Sequence, residues 1–117
     1  MTYFLALSTA GSEEEGVKIG KALVEKKLAA CVNVVPKVRS FFFWDGKTCE
    51  EEEVLLVIKT TRDNLQSTGE IIKKMNTYNL PEFIYVKIQG GDAGYLDWVR
   101  KTTDRGRKRI KKPKNTY

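Results

Sequence analysis

An α+β domain is the fold class the sequence predicts. Three features predict it: four stretches rich in β-formers, two amphipathic stretches between them, and an Asp45-Gly46 turn near the middle of the chain. With 117 residues, 41% apolar and 31% charged, the chain suits one globular domain with a real core. Thr2 to Ser8 (TYFLALS) reads as the first strand. "SEEE" follows, where Ser12 and Glu15 form a capping box and the glutamates suit the positive end of a helix dipole. Val17, Gly20, Val24 and Leu28 recur at helical spacing and are read as the buried stripe of a helix ending near Leu28. Gly16 and Gly20 weaken that helix locally and predict close packing on a sheet.

"LAACVNVVP" then alternates, with Ala30, Val32 and Val34 on one side and Cys31, Asn33 and Val35 on the other. Pro36 cannot donate to a ladder, so it predicts an edge or a bulge. "SFFFWDGKT" resumes the strand and turns at Asp45-Gly46 into a return strand from about Cys49 to Thr60. A second helix is predicted over 62–75, with Leu65, Thr68, Ile72 and Met75 facing inward. "LPEFIYVKI" is a strand with Pro81 at its start, and Asp92 caps a last short helix carrying Tyr95, Trp98 and Val99. The order β-α-β-β-α-β-α, with right-handed crossovers, gives a ferredoxin-like split β-α-β sandwich. Its antiparallel sheet carries two helices on one face, with an extra helix at the C-terminal end. Residues 1–103 form the single domain, and 104–117 read as a mobile basic tail.

Charge is uneven. From Arg100 onward there are nine Lys or Arg against one acid, whereas residues 1–99 hold twelve basic and fourteen acidic residues. The net charge of +6 therefore comes from the tail. No apolar run approaches the roughly 18 residues of a membrane span, and the start lacks the basic n-region of a signal peptide. A cytoplasmic protein with free thiols is expected.

The sequence has no histidine, which removes the usual general base and every imidazole metal site. If Asp45-Gly46 is the turn, Cys49 faces about Phe42 and Cys31 faces about Thr60, so the thiols lie ~35 Å apart along the ladder. That excludes an intrachain disulfide or a two-thiol metal site. Cys31 reads as a small buried hydrophobe, with a functional thiol as the alternative. Glu50 to Glu53 alternate between two faces and read as a solvated strand end. Phe41, Phe42, Phe43 and Trp44 put rings on both faces of one strand, which calls for burial by another subunit. No phosphate-cradling loop or nucleophile motif is present, and no catalytic activity is expected.

LAACVNVVP, FFFWDGK, EEEEVLLVIKTT, TYNLPEFIYVKI and DAGYLDWV together resemble the CutA divalent-cation-tolerance family from about Tyr3 to Lys101. The resemblance implies a homotrimer whose long strands pair between subunits, in a protein tied to tolerance of copper and other divalent cations. Metal-binding members carry a thiol at the end of the first strand and a histidine before a Pro-Tyr pair. Ser8 stands at the first place here, and Met75 and Asn76 at the second, so that site is not carried over. Cys31, Lys59, Tyr78 and Glu82 match the family phrases and are candidates to line an intersubunit cleft, with any divalent metal or copper bound weakly. The alternatives are a trimeric signalling module like the PII proteins, binding a nucleotide or other small ligand in its clefts, and capture of nucleic acid by the tail, which a single terminal aromatic, Tyr117, supports poorly.

Overall fold

In the computed structural model, which describes residues 2–104, Tyr3–Ala10 forms strand β1 at the centre of the sheet. Its alternation decides where the core lies. Phe4, Ala6 and Ser8 are buried, while Tyr3, Leu5 and Leu7 stay half-exposed on the other face. Helix α1 spans Glu13–Glu25, and the Ser12 hydroxyl accepts the Glu15 N–H at 3.1 Å as the capping pattern predicts.

The buried stripe of α1 differs from the one expected. Gly16, Ile19, Gly20 and Leu23 face the sheet, whereas Val17 and Val24 are exposed. The glycines decide this. A Cβ on Gly16 would sit 3.0 Å from Val54 Cγ1, and one on Gly20 would sit 3.3 Å from Val32 Cγ1. Only the glycine side lets the helix approach this closely, and Ile19 and Leu23, next to it, fill the remaining volume.

Strands β2 (Cys31–Trp44) and β3 (Lys47–Thr61) form the long hairpin. Asp45 and Gly46 both take positive φ, 54° and 79°, as a two-residue turn matched to strand twist requires. Phe42 pairs with Cys49 as expected, but Cys31 pairs with Lys59 rather than Thr60. A bulge between Val35 and Val38 moves the register by one. It sits at Pro36 and at Lys37, whose φ is 61°.

A short 3-10 turn (Arg62–Asn64) leads into helix α2 (Leu65–Met75), followed by strand β4 (Ile84–Ile88) and helix α3 (Ala93–Thr102). The sheet order is β2-β3-β1-β4 and every pairing is antiparallel, as in the split β-α-β arrangement. α1 and α2 cover one face, over a core of Ala6, Ile19, Leu23, Leu56, Ile58 and Ile72, all fully buried. Each large aliphatic there contributes about 1.5–3 kcal/mol. α3 packs on β3 from the other face. β1 pairs with β3 only over 54–61, so the arm from Val38 to Glu53 runs past the sheet with only its own two strands paired. The expectation of a mobile tail over 104–117 falls, beyond Asp104, outside the described residues.

Candidate functional site

The four cleft candidates fall into two groups. Cys31 and Lys59 are register partners on the sheet face away from the core, so period-two geometry points both side chains toward α3. Lys59 Nζ lies 3.8 Å from Cys31 Sγ and donates to Asn33 Oδ1. Tyr95, in the first turn of α3, has its phenol pushed up by partial burial and then by the neighbouring Cys31. Cys31 is thus not a buried core hydrophobe. It is half-buried among a cation, an amide and a phenol. Asn33 and Tyr95 belong to this group although the sequence reading did not select them. Asn33 was legible as the next same-face position after Cys31, but Tyr95 depends on where α3 docks.

Tyr78 and Glu82 lie elsewhere, on the loop between α2 and β4. Tyr78 donates to Glu53 Oε2 at 2.6 Å, so Glu53 is a half-buried partner of this loop and not only part of a solvated strand end. Glu15 accepts from the Thr77 N–H at 2.9 Å and from its hydroxyl at 3.1 Å. Burial comes first in raising the Glu82 carboxyl, and the Glu53 charge second. Glu50, on the neighbouring stretch of the arm, pairs with Arg39 at 3.2 Å in solvent.

Ser8 and Asn76, the positions that the family resemblance sets against the ligands of metal-binding members, hold this loop in place. The Ser8 hydroxyl donates to the Glu82 carbonyl at 2.7 Å. Asn76 donates to the Thr9 carbonyl at 2.9 Å, and its own carbonyl accepts the Tyr78 N–H at 2.9 Å. Both side chains are buried and both are satisfied. Met75 packs at the margin of the core.

Along β3, Glu53 is six residues from Lys59, so the two groups are separated by ~20 Å in one chain. Among the described residues no three His, Cys, Asp or Glu side chains come together to hold a metal ion. The Lys59 ammonium beside Cys31 also repels a cation. A divalent metal therefore does not fit the residues that one chain assembles. Phe41, Phe42, Phe43 and Trp44, the predicted interface residues, are 40–71% exposed on the overhanging arm. The other sheet edge, β4, exposes Ile84, Tyr85 and Val86.

The family model for the CutA1 divalent ion tolerance protein matches residues 4–102. The chain belongs to the CutA1 family. It is 42% identical over 99 residues to the divalent-cation tolerance protein CutA of Thermus thermophilus, covering 85% of this chain and 96% of that one. It is 36% identical over 99 residues to human Protein CutA, where the match covers 85% of this chain and 55% of the human one. The chain thus spans nearly all of the Thermus relative but about half of the human and chloroplastic ones. Among solved structures, the Thermus thermophilus protein superposes with a TM-score of 0.85, covering 86% of this chain and 98% of that one. The CutA1 structure from Oryza sativa gives 0.86 at 35% identity, covering 88% and 94%. The fold and the family resemblance are both borne out. No helix of the described residues is long and apolar enough to cross a membrane.

Proposed function

We propose that this CutA1-family chain works as a homotrimer, a non-enzymatic binding protein that acts in metal tolerance through clefts between its subunits. The observation that carries the reading is the overhang. The arm from Val38 to Glu53 leaves the outer edges of both β2 and β3 unpaired in one chain and exposes four aromatic rings, while β4 offers a short apolar edge at the far side of the sheet. Such edges are hazards in a lone subunit. Pairing each arm with a neighbour's edge satisfies the backbone, buries the rings and, repeated cyclically, closes the ring of subunits. In that assembly the Cys31–Lys59 group of one subunit and the Tyr78–Glu82 group of another are candidates to share a cleft, which supplies the second set of groups that one chain lacks.

Copper or another divalent metal is bound weakly in this reading, because no imidazole is present and the one thiol of the cleft is faced by an ammonium. Calorimetric titration with copper, zinc and nucleotides tests it. Submicromolar divalent copper binding that survives Cys31→Ser would show that the ligands lie elsewhere. A second reading, a PII-like module for a small anionic ligand, is favoured by the donors around Cys31, where Lys59 and Tyr95 suit an anion better than a cation. Saturable nucleotide binding abolished by Lys59→Gln would select it.

A further inference from the structure

The loop from α2 to β4 crosses a junction of three elements. β1 ends at Ala10, α1 starts at Glu13, and Glu53 is the first residue of β3 beyond its ladder with β1. Glu53 also pairs with Val38, the first pair after the bulge, so it stands at the root of the arm. Met75 and Phe83 pack on the core at either end of the loop, whereas Leu80, its one large aliphatic between them, is exposed. Apolar burial therefore does not hold the middle. Polar side chains do, and they make the loop a strap. Asn76 ties its start to the Thr9 carbonyl, and Ser8 ties its end through the Glu82 carbonyl. Between these anchors two half-buried carboxylates take over. Glu15 accepts both the N–H and the hydroxyl of Thr77, at 2.9 and 3.1 Å, and Glu53 accepts the Tyr78 hydroxyl at 2.6 Å. The Tyr78 ring lies over the turn into α1, where a Cβ on Gly11 would sit 3.5 Å from the phenol oxygen.

Neither Glu15 nor Glu53 joins an ion pair among the described residues, so the strap bonds are what their charges serve. A charged acceptor makes a bond roughly twice as strong as a neutral one, and a proton on either carboxylate weakens the strap. We propose that the strap is a proton-operated clasp joining α1, the root of the arm and the entry to β4: Glu15 and Glu53 hold it while ionised and release it when protonated. The charges acting on Tyr78 and Glu82 are Glu15 from α1, Glu51 and Glu53 from β3, and no cation is among them. Nothing there replaces a carboxylate bond once it is lost. Glu82 takes up a proton without loosening the strap, because its bond to Ser8 uses the backbone carbonyl. The clasp is thus closed at neutral pH and opens as pH falls into the range where carboxylates protonate. Its consequence rests on the trimer proposed above. The arm and the β4 edge must both be in place to pair with neighbours, and an open clasp lets one move against the other.

Hydrogen exchange of the full chain, read by mass spectrometry at about pH 7 and about pH 4 and corrected for intrinsic exchange, tests the clasp. Amides between 77 and 83 should lose roughly tenfold in protection at the acid pH, while those of β1 and β3 keep theirs. The double variant Glu15→Gln, Glu53→Gln should show the acid-state protection already at neutral pH and respond little further to acid. Glu82→Gln should respond as the wild type does. If the double variant fails to fold, Glu53→Gln alone should give a smaller loss of the same sign at neutral pH, and no loss there would overturn the proposal. So would a strap that stays protected in the wild type at acid pH, an acid response that survives in the double variant, or a strap and core that open together. Light scattering on the same samples keeps the two claims apart. An acid-opened strap on a chain that is already monomeric at neutral pH upholds the clasp and removes only its role in assembly.

Discussion

Tyr78 joins the α2–β4 loop to β3 through a single short bond, and its chemistry follows from that position. Burial pushes its phenol far above the ordinary range, helped by the bond to Glu53 and by the charges of Glu53, Glu15 and Glu51. In an alkaline ultraviolet titration Tyr78 should stay protonated after the exposed tyrosines have ionised. Tyr78→Phe should cost about 1 kcal/mol in denaturant unfolding, because Glu53 stays near water once its donor is removed. Glu82 behaves in the opposite sense to a stabilising carboxylate. Its folded carboxyl is raised above the ordinary 4.5, so its charged form is disfavoured in the native state. The cost is absent below the ordinary value and complete above the folded one. Glu82→Gln should therefore stabilise the protein at neutral pH by less than about 1 kcal/mol, and the gain should vanish as pH falls below the ordinary value. Unfolding curves at neutral and acid pH check both. An unchanged gain at acid pH would rule out the electrostatic cause. At this scale the sequence was only partly legible. Cys31 and Lys59 could be placed opposite one another to within one residue, but the bonds of Glu53 and Glu15 to the loop join residues far apart in the chain, and no local pattern announces them.

The elements were legible wherever backbone chemistry dictates them. Asp45-Gly46 marked the turn, Pro36 marked the bulge, and Ser12 and Asp92 marked two helix starts, because each depends on a local φ constraint, a missing N–H or a capping oxygen. The face of α1 was misread for a physical reason. Val17 and Val24 fit the helical spacing, yet the close approach at Gly16 and Gly20 turns the helix toward the larger Ile19 and Leu23. Leu23→Ala should accordingly cost about 2–5 kcal/mol, and Val24→Ala well under half of that, since the first leaves a cavity and the second trims an exposed side chain. Comparable losses at the two positions would return the buried stripe to the valine side. The arm follows the same logic of unfinished burial. Replacing Phe42 and Trp44 with polar residues should leave the Ala6–Ile72 core intact yet break the assembly, giving monomer or aggregate in size-exclusion chromatography.

For the molecule as a whole, one chain gives a complete core and an incomplete site. The core is closed by α1 and α2, and every strand pairing needed for the sheet is present. The arm, the β4 edge and the two half-groups around Lys59 and Glu53 have no such completion in one subunit. Four rings at roughly 1.5–3 kcal/mol each for full burial are enough to dominate an interface, even after the cost of association is subtracted. The same view explains why the site was harder to read than the fold. Fold signals lie within ten or twenty residues of one another, whereas the proposed cleft would take its second half from another chain. The central claim is therefore assembly, and multi-angle light scattering at micromolar concentration tests it most directly. The expected mass is about three times the 13.4 kDa of the chain. A soluble, cooperatively folded monomer under those conditions would contradict both the trimer and the intersubunit cleft.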